Sequence, residues 1–177
     1  GYCGPHGRIY GRTGDYSPFD FLQGGQAALR DAIAGVQRQG IPVGLYIEGY
    51  LLDERGKLGR QFGKTWQLID AAGHGARWPD SSEIDIWSYV PACREVQTST
   101  YADKVRQLNV DGMYIDEYGF AGSNFDCWSS EHGHARPGYA VVGERDTTRL
   151  IRQSINGVKS DVAIYTEETP VDVVTQL

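Results

Sequence analysis

The 177-residue sequence is poor in cysteine and methionine and has no long apolar run. It contains three cysteines and one methionine. An odd number of widely spaced cysteines fits neither a disulfide framework nor a paired-cysteine zinc knuckle, so we interpret Cys3, Cys93 and Cys127 as buried or near-site thiols. No stretch approaches the roughly 18 to 20 apolar residues that span a bilayer, and we therefore predict no membrane segment in this chain.

Positive charge is also scarce and is not clustered. The chain has 17 lysine and arginine residues against 23 aspartate and glutamate residues, which gives a formal net charge of −6. Phosphate binding requires clusters of basic side chains, so we predict no nucleic-acid partner. The hydrophobic fraction of 40% and the charged fraction of 23% are typical of a globular protein.

Hydrophobic periodicity predicts three helices that alternate with three buried strands. The helices are predicted over residues 26–39, 98–108 and 143–161, and the strands within residues 41–52, 110–120 and 161–170. The first strand run is apolar enough for burial on both faces, and Gly40 is expected to end the helix before it. Residues 53–97 are predicted to form a long irregular loop, and long loops of this kind commonly carry function.

The order of these elements predicts a parallel sheet. The positions of the acids indicate whether it is a doubly wound sheet or a β/α barrel. Each predicted strand ends in acidic residues, and every long loop follows a strand, whereas the connections from helix to strand are short. This arrangement is typical of a β/α barrel, whose catalytic groups lie at strand carboxyl ends. No glycine-rich phosphate turn follows a strand, which disfavours a dinucleotide-binding sheet. We therefore predict an α/β fold, a partial (β/α)8 TIM barrel with parallel strands and long βα loops.

The acids at the ends of the second and third strands are the candidate catalytic residues. Asp116 directly follows the apolar run Met113 to Ile115, and Glu167 and Glu168 follow the last strand. Adjacent strands lie about 5 Å apart, so acids at their ends can reach the ~5 to 5.5 Å separation used by retaining glycosidases. The structural alternatives are loop capping by Asp116 and surface pairing by the glutamates.

Polar and aromatic side chains near the same strand ends are candidate substrate-binding residues. Aromatic faces beside hydrogen-bonding groups suit saccharide recognition. An HxH pair can chelate zinc, but partners at the usual spacing are not visible, so contacts to sugar are favoured over a metal site. The predicted binding residues are His6, Arg8, Tyr46, Glu48, Trp87, Cys127, His132, His134 and Arg136.

Four segments together resemble a glycoside-hydrolase-like barrel family allied to the α-galactosidase, α-amylase and endo-α-N-acetylgalactosaminidase barrels. They are PVGLYIEG, the stretch from YVPACREV to MYIDEYG, the loop DCWSSEHGHARPG, and AIYTEE. In such barrels the strand that matches DGMYID bears the nucleophilic aspartate, which implies Asp116. In several of them the next strand bears the acid/base glutamate, which implies Glu167 or Glu168. In the α-galactosidase relatives the acid/base would instead come from a later strand.

These observations predict retaining hydrolysis of a glycosidic bond in a carbohydrate substrate, without a cofactor. Two alternatives stay open: a carbohydrate-binding barrel without catalysis, and a metal-dependent hydrolase built on His132 and His134. A closed barrel needs eight βα units in about 250 residues. Because only three strands are clear, we expect residues 1–177 to be a single partial catalytic domain, a fragment of a longer chain.

Overall fold

The computed structural model describes residues 14–16, 23–49, 51–77, 84–86, 91–116, 118 and 126–166. For residues 84–86, 91 and 140 it describes the backbone alone. Within these ranges the chain forms helices α1 (Gly25–Gln37), α2 (Lys57–Trp66), α3 (Pro91–Leu108) and α4 (Ala140–Asn156), and strands β1 (Gly44–Glu48), β2 (Leu51–Asp53), β3 (Ile84–Ile86), β4 (Gly112–Asp116) and β5 (Ala163–Thr166).

Three of the strands form the central sheet, which is entirely parallel. Its order is β1-β4-β5, so β1 and β4 are neighbours although β2 and β3 lie between them in sequence. Gly44 to Glu48 pair residue by residue with Gly112 to Asp116. Strands β2 and β3 pair with each other in a separate antiparallel sheet. The parallel sheet with its helical crossovers is the predicted α/β architecture, part of a (β/α)8 barrel.

One face of the central sheet carries the hydrophobic core. Side chains at alternate strand positions point to the same face, and on this face they are buried aliphatic residues. Helices α1, α3 and α4 supply the facing side chains. The buried core includes Ile33, Leu45, Ile47, Tyr101, Val105, Leu108, Met113, Ile115, Ile151, Ile155 and Ile164. This burial explains why the helical and strand patterns were visible in the sequence.

The opposite face of the sheet is only partly covered, which differs from the predicted burial of the first strand on both faces. Gly44 is exposed, Tyr46 and Tyr114 are half-buried, and Tyr165 is 45% exposed. In a closed barrel this face would line the interior, where further strands supply the covering side chains. We refer to it below as the inner face.

Helix α1 agrees with the sequence prediction within two residues at each end, whereas α4 begins three residues before its predicted start and ends five residues before its predicted end. Gly40 lies in the left-handed region with φ 77°, and it follows α1 as predicted. Helix α3 begins at Pro91 rather than Thr98. The predicted start at residue 98 is therefore wrong, and the Thr98 hydroxyl donates to the Arg94 carbonyl at 2.9 Å inside the helix.

Residues 53–97 are not one irregular loop, contrary to the prediction. They contain α2 and β3, and α3 begins before residue 97. Helix α2 has an apolar face, because Leu58, Phe62 and Trp66 recur at helical spacing and pack in one cluster, and a tertiary contact adds to it. The Asp15 carboxylate caps its first turn by accepting from the Lys57 amide at 2.6 Å and the Leu58 amide at 2.9 Å. No described helix is both long and apolar enough to cross a bilayer.

Candidate functional site

The inner face carries three layers of like residues across the central sheet. Gly44, Gly112 and Ala163 share one level, and the Tyr165 ring packs against the two glycines, since a Cβ at position 44 would lie 2.6 Å from its hydroxyl. Tyr46, Tyr114 and Tyr165 form the second level, with ring centroids 5.8 and 5.4 Å apart. Glu48 and Asp116 form the third level at the carboxyl ends of β1 and β4, where they are direct register partners.

Tyr46 joins the two acids of the third layer. Its hydroxyl lies 3.2 Å from Glu48 Oε2 and also within hydrogen-bond distance of Asp116 Oδ2. A phenol has one proton to donate, so it donates to one carboxylate oxygen at a time. The arrangement holds two carboxyl groups next to each other at the mouth of the partial barrel. All three are predicted site residues, but no sequence pattern indicates that one hydroxyl connects them.

The backbone of Glu48 is fixed by tyrosines from two other parts of the chain. The hydroxyls of Tyr16 and Tyr101 both donate to the Glu48 carbonyl, the latter at 3.0 Å. Burial raises the pKa of Tyr101, so its phenol remains a proton donor at neutral pH. Gln97 in turn donates to the Tyr101 hydroxyl at 3.0 Å and to the Gly49 carbonyl. Glu48 is only 2% exposed as a result of this packing.

Asp116 is positioned through its backbone and the residues that follow β1. The Gly49 amide donates to the Asp116 carbonyl at 2.8 Å, which extends the pairing of the two strands by one residue. A Cβ at position 49 would lie 2.7 Å from the Tyr118 ring, so glycine is required for this approach. The Tyr118 hydroxyl donates to the Glu144 carbonyl at 3.0 Å and thereby connects this strand end to α4.

A second group of predicted residues meets in the loop after β4. Cys127 Sγ lies 3.2 Å from His132 Nδ1, and the rings of His132 and His134 meet edge to face with centroids 5.8 Å apart. Burial lowers the pKa of His132 and favours its neutral form. Arg136, from the same loop, is exposed. Cys93 and Cys127 are free and buried thiols, as predicted for them.

This loop borders an apolar cavity of about 190 Å³. The cavity lies between the loop and the neighbouring helices α3 and α4. Its lining includes Leu68, Arg94, Cys127, His134, Pro137 and Val142. Leu68 and Arg94 were not predicted as lining residues, because their position beside the cavity depends on how residues 53–97 fold.

Five predicted site residues lie outside the described residues: His6, Arg8, Trp87, Glu167 and Glu168. The predicted catalytic pair therefore has one described member, Asp116. The described residues bring Asp116 together with Tyr46 and Glu48, and they bring Cys127 together with the two histidines.

No protein-family model and no curated protein matches the chain. Solved structures do match it, and they include glycoside hydrolases. A noncanonic maltogenic α-amylase, AmyB from Thermotoga neapolitana, is 17% identical with a TM-score of 0.67, over 100% of this chain and 36% of that one. The α-L-fucosidase isoenzyme 2 from Paenibacillus thiaminolyticus is 18% identical with a TM-score of 0.66, over 91% and 26%.

An α-galactosidase from Thermus thermophilus, solved with stachyose, is 15% identical with a TM-score of 0.61, over 92% of this chain and 32% of that one. The chain thus spans between about a quarter and about a third of the length of these enzymes. Such low identity carries information on the fold alone. The chain has the fold of the glycoside hydrolase (β/α)8 barrels, in part.

Proposed function

We propose that this chain carries the catalytic centre of a retaining glycoside hydrolase, with Asp116 as nucleophile. The observation that supports the proposal most is the placement of Asp116 on the inner face, at the carboxyl end of β4, beside Glu48 and under the Tyr46 hydroxyl. Catalytic groups of β/α barrels come from this end of the strands. The fold shared with an amylase, a fucosidase and an α-galactosidase agrees with this chemistry.

The proposed reaction has two steps. In the first, an Asp116 carboxylate oxygen attacks the anomeric carbon while the glycosidic C–O bond breaks, and the partner carboxylic acid gives its proton to the leaving oxygen. In the second, the partner carboxylate takes a proton from water as that water attacks the anomeric carbon. The ester bond to Asp116 breaks, which releases the sugar and restores both carboxyl groups. The reaction requires no cofactor.

We assign the partner role to Glu167, with Glu168 as the alternative. Tyr165 pairs with Tyr114 across β4 and β5, and both lie in the tyrosine layer of the inner face. Asp116 follows Tyr114 by two residues, and Glu167 follows Tyr165 by two residues. Since strand side chains repeat every second residue, this spacing favours Glu167 over Glu168.

Tyr46 and Glu48 have supporting roles in this proposal. A hydrogen bond from Tyr46 holds the Asp116 carboxylate in one orientation before attack, and attack frees the hydroxyl for Glu48. Glu48, Trp87, Arg136, His6 and Arg8 are proposed to contact the sugar. Residues 1–177 are proposed to be part of a longer barrel, because Tyr165 on the inner face is 45% exposed, whereas a closed barrel covers this face.

The test is to replace Asp116 with asparagine in the complete barrel protein and to measure turnover of a panel of p-nitrophenyl glycosides. Asn is nearly isosteric but cannot act as a nucleophile, so turnover is expected to fall by about 1,000-fold or more. The unfolding free energy should stay near that of the wild type. Asp103→Asn is the matched control, since Asp103 is an exposed residue of α3 paired with Arg106.

Full turnover in Asp116→Asn, with Asp103→Asn equally active, would overturn the nucleophile assignment. A wild-type protein that binds sugars but cleaves none of the panel would favour the carbohydrate-binding barrel. Calorimetric titration with the same sugars separates these two outcomes, because binding does not depend on the nucleophile.

A further inference from the structure

The loop after β4 brings together three side chains that metals commonly use as ligands. Cys127, His132 and His134 each offer one ligand atom, and these atoms all lie within 4.8 Å of one another. Two ligands at about 2.0 to 2.3 Å from one tetrahedral ion are about 3.5 Å apart. The separation of 3.2 Å between Cys127 Sγ and His132 Nδ1 is close to that value.

The ring of His134 is oriented as a metal ligand. Its Nδ1 lies 2.7 Å from the Ala135 carbonyl, and a carbonyl only accepts, so Nδ1 carries the proton. The lone pair therefore belongs to Nε2, which is buried and has no hydrogen-bond partner among the described residues. A buried acceptor without a partner costs free energy, which a bound cation would recover.

Backbone contacts hold both histidines in place. The His132 ring is hydrogen-bonded by the backbone of Thr65, as the His134 ring is by Ala135. Histidines that bind metals usually donate their second ring N–H to such a carbonyl, which fixes the tautomer and the ring orientation. Gly133 between them has φ 71°, a left-handed conformation that glycine adopts without strain.

The two ends of the loop are joined by reciprocal backbone bonds. The Cys127 amide donates to the Gly138 carbonyl at 3.0 Å, and the Gly138 amide donates to the Cys127 carbonyl at 2.7 Å. A Cβ at position 138 would lie 2.5 Å from His134 Nδ1, so glycine leaves the room that the ring needs. The cluster is thus built by the fold of the loop rather than by flexible surface side chains.

We propose that Cys127, His132 and His134 bind one zinc-type divalent cation. A thiolate with two imidazoles favours a borderline-soft ion such as Zn²⁺ over Mg²⁺ or Ca²⁺, which prefer oxygen ligands. Three protein ligands leave the fourth position to water or to another ligand. The proposed ligands are different residues from the hydrolytic pair proposed above. The metal-binding test therefore does not depend on hydrolytic activity.

The test uses cobalt as a spectroscopic substitute for zinc. The protein is stripped with a chelator, kept reduced with a phosphine, and titrated with Co²⁺. One equivalent is expected to produce a thiolate-to-cobalt charge-transfer band, and Zn²⁺ should displace it. Cys127→Ser should remove this band, and His134→Gln should weaken Co²⁺ binding by about tenfold or more.

Two variants serve as controls. His74→Ala removes a histidine that is 80% exposed and pairs with Asp70, and Cys93→Ala removes the other described thiol. Both should keep the band and the affinity. The proposal is overturned if the wild type shows no such band, or if the band persists in Cys127→Ser. Should Cys127→Ser fail to fold, His134→Gln decides alone, and unchanged Co²⁺ affinity in that variant overturns the proposal.

Discussion

Strand β4 has an aspartate at each end, and the two carboxylates have different surroundings. Asp111, just before the strand, accepts hydrogen bonds from Gln37 at 2.8 Å, from the Val43 amide at 2.9 Å and from Lys159 at 2.9 Å. These donors come from α1, from the start of β1 and from the segment before β5. Asp116, at the other end, meets the Tyr46 hydroxyl beside a second acid.

The different surroundings of Asp111 and Asp116 agree with a general property of β/α barrels. In these barrels residues at the amino end of the sheet contribute to stability, and residues at the carboxyl end contribute to function. The hydrogen bonds from the Gln37 side chain, the Val43 amide and Lys159 lower the pKa of Asp111 to about 2. Asp116 is the described residue for which we propose a reaction. We therefore expect replacement of Asp111 to lower the unfolding free energy and replacement of Asp116 to lower turnover.

Tyr46→Phe sharpens the comparison at the carboxyl end. The change removes one hydroxyl that bonds to the proposed nucleophile, and hydrogen bonds to charged groups contribute about 1.5 to 3 kcal/mol. We expect kcat to fall by about 10- to 100-fold, with the KM changed less and the unfolding free energy nearly the same. Steady-state kinetics measures kcat and KM, and urea unfolding of the same preparation measures the unfolding free energy.

The matched control for Tyr46→Phe is Tyr165→Phe, which removes the hydroxyl of another ring in the tyrosine layer, on a residue that is 45% exposed. It should leave kcat within a factor of about three, since this hydroxyl is not assigned a bond to either acid of the third layer. Equal losses in the two variants would indicate that the tyrosine layer acts through packing rather than through the bond to Asp116.

Asp111→Asn tests the amino end and should lower stability rather than turnover. The carboxylate pKa is about 2 in the folded protein and about 3.9 in an unfolded chain, so the folded state favours the charged form. Because the side chain is 30% exposed, we expect a loss of only about 1 to 2 kcal/mol in unfolding free energy at pH 7.

The sign of the pH dependence follows from the lowered pKa. The stabilisation by Asp111 is fully present above about pH 4 and is lost as the pH falls toward 2. The difference in unfolding free energy between wild type and Asp111→Asn should therefore shrink over that range. A difference that is independent of pH, or a variant that loses turnover while its stability is unchanged, would remove the contrast between the two ends of β4.

Much of the fold was predictable because burial imposes a period on the sequence. Leu45, Ile47, Met113 and Ile115 face the helices, and with the tyrosines between them they form the continuous apolar runs from which β1 and β4 were predicted. Helix α2 was not predicted, although Leu58, Phe62 and Trp66 recur at helical spacing, and its cap from Asp15, 42 residues away, has no local sequence signal. The β2-β3 pair was missed for a similar reason, since three-residue strands carry too short a pattern.

The candidate site was predictable in its residues but not in its contacts. The position of Asp116 and Glu48 after apolar runs identified both as strand-end acids. They are direct neighbours because β1 pairs with β4, although more than 60 residues separate the two strands in the sequence. Cys127 lies close to His132 and His134 because its backbone pairs with that of Gly138. The spacing of these residues in the sequence does not predict this pairing.

The most direct test of the proposed chemistry is the mass of a trapped covalent intermediate. The complete barrel protein is incubated with an activated 2-deoxy-2-fluoro glycoside of the sugar that it cleaves fastest, because the fluorine slows release of the ester more than its formation. We predict a mass increase of one fluorosugar residue, carried by the peptide that contains Asp116. A protein that turns over its substrate but yields no adduct, or carries the sugar on another carboxylate, would contradict the assignment.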